Sequence, residues 1–190
     1  MPAACSPTIT RLVRALLPCV KSKSVAKRCY LDASALAKRY VVEQGTVVVN
    51  HLFRRVTRDD MMCLTLGILE VISIFVRKKN ASAVPHTAFN QAMTDFRSEV
   101  IDAANFTKIP ATDSLINAAA ALVERHSLNT TDAVILRSVL DLVIALHATG
   151  DDLVLVTSDQ RLLRAAQEEG MLTFNLETQT AGDLDALLSP

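Results

Sequence analysis

The chain has 190 residues, half of them apolar and only 4% aromatic, with no Trp, five Gly and six Pro. That length suits one domain with a substantial aliphatic core, and the low Gly and Pro content excludes fibrous and low-complexity classes. Formal net charge is zero, but residues 1–28 hold six bases (Arg11, Arg14, Lys21, Lys23, Lys27 and Arg28) and no acid, so the remainder carries six more acids than bases.

Residues 1–28 read as a basic, flexible N-terminal extension ahead of a domain at 29–190. Thr10 to Val20 fits a short basic amphipathic helix, and Pro2, Pro7 and Pro18 interrupt the rest. The acid-free mixture of Arg, Lys and Ser resembles a transit peptide, although a disordered basic tail or an upstream start codon is the plainer reading. No apolar run reaches the roughly 18 residues needed to cross a bilayer. The longest, Val134 to Ala148, is broken by Arg137 and Asp141. Cys5, Cys19, Cys29 and Cys63 form no CxxC pair and have no His at metal-ligand spacing, as expected of a reduced, cytoplasmic protein.

From Cys29 onward, short apolar runs alternate with amphipathic ones. Cys29–Leu31 is a strand ending at Asp32, followed by a helix from Ala33 to Tyr40. A second helix spans about Gln44 to Arg58. Met61 to Leu66 is a buried strand, and Thr65 or Gly67 starts a helix to about Lys79. After a turn at 81–85 come a helix His86 to Ala103, a short strand Phe106 to Pro110, and a helix from Thr112 to about Glu124. Thr130 or Thr131 opens the next helix, to His147. Leu153–Thr157 is the clearest buried strand. Ser158 caps a helix that Gly170 ends, and Met171 to Leu176 is the last strand. This alternation predicts a parallel sheet covered on both faces, with ligands bound beyond the carboxyl ends of its strands.

The acids fall at those ends. Asp32 follows the first strand and Asp159 follows Leu153–Thr157, while Glu70 and Asp132 are placed in the first turns of helices. Singly, Asp32, Asp132 and Asp159 are explained by capping and by the helix dipole. Glu70 is harder to explain so, because Leu66, Ile68, Leu69, Val71, Ile72 and Ile74 surround it and a buried charge needs a partner. A divalent cation with a preference for hard oxygen ligands, Mg²⁺ or Mn²⁺, would satisfy all four together.

Four segments in order carry a family resemblance: Tyr30-Leu-Asp-Ala-Ser-Ala-Leu-Ala-Lys-Arg-Tyr40, Leu66-Gly-Ile-Leu-Glu70-Val, Leu128-Asn-Thr-Thr-Asp132-Ala-Val, and Leu155-Val-Thr-Ser-Asp159-Gln-Arg-Leu. Over about residues 29–178 the chain resembles the PIN-domain family, in particular VapC-like toxin ribonucleases. The resemblance implies a three-layer α/β/α sandwich with a mostly parallel sheet, and Mg²⁺- or Mn²⁺-dependent hydrolysis of RNA. It also implies a homodimer neutralised by a cognate antitoxin. Asp32, Glu70, Asp132 and Asp159 then match the family's metal-binding acids, and Ser34, Thr157 and Ser158 match the hydroxyls beside the first and fourth. The basic extension is not part of that pattern.

Arg161 and Arg164, one turn beyond Asp159, are placed to meet an RNA phosphate. His51, His86, His126 and His147 fall within or at the ends of helices, which argues against histidine-based RNA cleavage. A haloacid-dehalogenase-type phosphatase is excluded because Ser34 stands where it needs a second Asp. A receiver domain is excluded because Asp151-Asp152 precedes a strand instead of following one. The remaining alternative is a PIN-like module that binds RNA or protein without cutting.

Overall fold

The computed structural model describes residues 27–189; the basic segment 1–26, with the helix expected at Thr10 to Val20, lies outside the described residues. The first strand is longer than its apolar core, for Lys27 and Arg28 already belong to it. The strands are β1 (Lys27–Leu31), β2 (Met61–Leu64), β3 (Thr107–Ile109), β4 (Asp152–Thr157) and β5 (Leu172–Asn175). They form one sheet in the order β3-β2-β1-β4-β5, with every pairing parallel.

The helices are α1 (Ala33–Tyr40), α2 (Thr46–Arg55), α3 (Thr65–Asn80), α4 (His86–Phe96), α5 (Asp113–His126), α6 (Thr130–His147), α7 (Gln160–Glu168) and α8 (Ala181–Leu188). Successive strand residues point to opposite faces of a sheet, so β1, β2 and β4 each feed two cores. Cys29, Leu31, Met61, Cys63, Val154 and Val156 pack under α1–α4 and α8. Tyr30, Met62, Leu64, Leu153 and Leu155 pack under α5–α7. The result is a three-layer α/β/α sandwich. Tyr30, completely buried, satisfies its hydroxyl by donating to Ser138 Oγ at 3.2 Å.

Several boundaries differ from the sequence reading. Helix α2 ends at Arg55 because Val56 is extended, and residues 58–60 form a separate 3-10 turn. Strand β2 stops at Leu64 because Thr65 already begins α3, its hydroxyl donating to Ile109 O at 2.8 Å. Glu70 is thus the sixth residue of α3, in its second turn, not its first. Helix α4 ends at Phe96 and widens into a π turn over 97–101. Helix α8 was not anticipated. Thr180 caps it by accepting from Asp183 N, and Asp183 accepts from Thr180 N at 2.7 Å in return. Lys27 then donates to Leu187 O and Ser189 O, both at 2.7 Å, fastening its far end to β1.

The chain builds β2 and β3 on one side of β1 and then crosses to place β4 on the other. Strand order therefore reverses between β1 and β4. In such sheets the crossovers diverge at this point and leave a crevice beyond the carboxyl ends.

Candidate metal centre

Asp32 and Asp159 flank that crevice, as the residues following β1 and β4. Asp32 caps α1, its Oδ1 accepting from Ala33 N at 2.6 Å. Its Oδ2 accepts from Ser34 N (3.2 Å), Ser34 Oγ (2.7 Å) and Thr157 Oγ1 (2.9 Å). Asp159, not Ser158, caps α7: its Oδ1 accepts from Arg161 N at 2.8 Å and Leu162 N at 3.0 Å. For these two acids capping and the shared site coincide, since each side chain caps its helix and still lines the crevice.

The helical layers each contribute one further acid. Asp132 lies in the first turn of α6, with its amide held by the capping Asn129 Oδ1 at 2.9 Å. It is buried, and its Oδ2 is enclosed without a hydrogen-bond partner among the described residues. Glu70 arrives half-buried from α3 on the opposite layer.

These four acids line one pocket of about 210 Å³ together with Ala33, Ser34, Ser73, Ile74 and Arg77. Their mutual effect shows in proton affinity. Burial pushes the Asp132 carboxyl up to about 7, and the charges of Asp159, Asp32 and Glu70 add to it, with Arg161 opposing. Burial also raises Glu70, against a hydrogen bond from Thr131, with Asp32 raising it further and Arg77 lowering it.

The hydroxyl residues take different places. Ser34 lines the pocket. Thr157 stands behind Asp32, and its Oγ1 also accepts from Asp159 N at 3.0 Å. Ser158 is not among the lining residues; its amide donates to Ser34 Oγ at 3.1 Å, and its own hydroxyl is enclosed without a partner among the described residues. Thr131, Asn129, Ser73 and Arg77 were missed as site residues. The Asn-Thr-Thr run before Asp132 carried a signal for the first two, but Ser73 and Arg77 reach the pocket only because α3 packs alongside it.

None of the four histidines lines this pocket. His51 lies 3.1 Å from Asp185, His126 lies between Glu168 and Glu169, His147 faces Asp152, and His86 pairs with Asn90.

Carboxylate oxygens suit a hard divalent cation, and an orphaned, buried Asp132 oxygen amid like charges is the situation such a cation relieves. The residues present fit Mg²⁺ or Mn²⁺ chemically. Among the described residues, however, no three acidic, histidine or cysteine side chains are gathered into a ready-made metal cage.

No family model and no curated protein sequence matches the chain. Solved structures do. PAE2754 from Pyrobaculum aerophilum superposes with a TM-score of 0.52 at 18% identity, covering 87% of this chain and 98% of its own. FitAcB from Neisseria gonorrhoeae gives 0.54 at 13% identity over 80% of this chain and 99% of its own. FitAB bound to an IR36 DNA fragment gives 0.58 at 12% identity, over 80% and 97%. At such identities the likeness speaks to the fold alone. The all-parallel sandwich described above is a PIN-like α/β/α fold.

Proposed function

We propose that the chain is a Mg²⁺- or Mn²⁺-dependent endoribonuclease and the toxin of a toxin–antitoxin pair. The observation that carries this reading is the partnerless, buried Oδ2 of Asp132 in a pocket walled by Asp32, Glu70 and Asp159. The resemblance of its four acid-bearing segments to VapC-like toxins, on a fold shared with FitAcB and FitAB, supports the biological context.

In this reading Asp32 and Asp132 hold the principal ion, and Glu70 and Asp159 bind directly, through water, or at a second ion. When bound, the ion supplies a water of lowered pKa and neutralises charge building on the phosphate. Ser34 and Thr157 fix the Asp32 carboxylate so that it need not reorganise during the reaction. Asp159, tied to the start of α7, and Glu70, carried on α3, would present their carboxylates to the ion or to its waters. Attack in line with the leaving 3′-oxygen would leave 5′-phosphate and 3′-hydroxyl ends. A cognate antitoxin and a homodimer belong to the same proposal.

Purified protein is incubated with total cellular RNA and Mn²⁺ or Mg²⁺, beside EDTA and Asp132→Asn controls. Discrete fragments that vanish in both controls are expected. Absence of cleavage, with no Mn²⁺-linked rise in melting temperature, would replace this reading with that of a non-cutting binding module.

A further inference from the structure

Beside the acid pocket, between the end of α5 and the outer face of α7, lies a second pocket of about 340 Å³ lined by Arg125, His126, Ser127, Arg161, Arg164 and Glu168. The two are electrostatically continuous. Arg161 N is bonded to Asp159, and the Arg161 charge acts on Asp132.

The charges in this pocket are sorted unequally. Glu169 accepts from Arg125 at 2.9 Å and lies 2.7 Å from His126 Nε2. Glu168 stands four residues after Arg164, the spacing for a helical ion pair. It is turned instead toward His126 Nδ1, at 3.0 Å. His126, whose side chain is only 4% exposed, therefore holds both acids at the pocket's edge. Arg161 and Arg164 are exposed, and among the described residues neither pairs with a carboxylate; Arg164 only reaches Gln160 O through Nε at 3.3 Å.

Unneutralised guanidinium groups one turn apart, opening next to an acid site, are suited to a phosphodiester group, which they bind through charge-assisted, often bidentate hydrogen bonds. A chain whose residues beyond 28 carry excess acid must grip a polyanion through such local bases. We propose that this pocket holds a backbone phosphate of the substrate RNA, neighbouring the one that is cut, with Arg161 and Arg164 as its binding residues. The proposal rests on the nuclease reading for the identity of the ligand as RNA.

The test is fluorescence anisotropy of a labelled, mixed-sequence single-stranded RNA with full-length protein in EDTA, from 50 to 200 mM KCl. Binding is thereby measured without cleavage. Arg161→Gln with Arg164→Gln should weaken binding roughly tenfold at low salt, and flatten the log–log salt slope by about 0.7, the change expected when one phosphate of a single strand is no longer neutralised. Glu168→Gln, which removes a negative charge from the pocket wall, should tighten binding, a gain that misfolding does not produce. Arg54→Gln, at an exposed base on α2, should leave both quantities unchanged. Unaltered binding in the double variant, or equal weakening in Arg54→Gln, would overturn the phosphate pocket even if total-RNA cleavage persists. Arginine-dependent binding without any cleavage would keep the pocket and remove the nuclease.

Discussion

Thr157 closes β4 by donating its hydroxyl to Asp32 Oδ2 at 2.9 Å, across the point where the strand order reverses, while accepting from Asp159 N at 3.0 Å. One side chain thereby couples the acids that follow the two central strands. Thr157→Val keeps the shape and removes both bonds. It should lower kcat by about 10- to 100-fold with little change in KM, as loss of a ligand-orienting partner does. Thr157→Ser should restore most of it, and steady-state cleavage of a short RNA separates the two parameters.

Burial and three nearby acids raise the Asp132 carboxyl, so its charged form should cost stability when no cation is bound. Asp132→Asn should therefore raise the melting temperature in EDTA at pH 8 while abolishing cleavage. For a domain of this size each kcal/mol relieved is worth about 2–4 °C. A variant that melts lower than the parent in EDTA would show that the Asp132 carboxylate is satisfied by some other group.

Ion binding that favours only the folded chain must stabilise it by mass action. Mn²⁺ at one hundred times its Kd should add about 2.7 kcal/mol, read as a rise in melting temperature. The rise should disappear in Asp32→Asn and in Asp132→Asn. An undiminished rise in both variants would locate the ion elsewhere.

Glu99 joins α1 to the π turn. It accepts from Arg39 at 3.0 and 3.1 Å and from Tyr40 at 3.2 Å, with Arg58 at 3.3 Å. Burial alone would raise its pKa, but Arg39 and Arg58 hold it below its ordinary 4.5. A depressed carboxyl contributes stability that is present above the unfolded pKa and lost as pH falls through the folded one. The parent should therefore lose stability on acidification below about 4.5 more steeply than Glu99→Gln, in urea titrations across that window.

Gly45, which caps α2, has φ +90°, and a Cβ there would lie 2.8 Å from Leu176 O. Gly45→Ala should cost about 1–3 kcal/mol from the strained backbone, more if the close approach cannot relax. The urea midpoint should fall, while the Mn²⁺-linked shift is retained because the site is untouched.

The sequence by itself determined the layered α/β plan and the chemical character of the site. Leu153-Val-Leu-Val-Thr157 and Cys29-Tyr-Leu31 are too apolar and too short to be anything but strands buried on both faces. An acid one or two residues after a buried strand stands at the carboxyl edge of the sheet, so Asp32 and Asp159 were legible from local pattern. Helix α8 was not read because its cap, Thr180 with Asp183, precedes a segment that buries only Leu184. Tertiary structure alone decided that Ser73 and Arg77 join Glu70 at the pocket. They reach the pocket because α3 packs on one face of the sheet while Asp132 descends from the other, a meeting of residues 62 positions apart that no periodicity encodes. It likewise decided which charges stay open. Glu168 has the spacing to neutralise Arg164, yet its carboxylate meets His126, brought in from the end of α5, at 3.0 Å instead, because an exposed i,i+4 ion pair is worth too little to fix the side chain by itself.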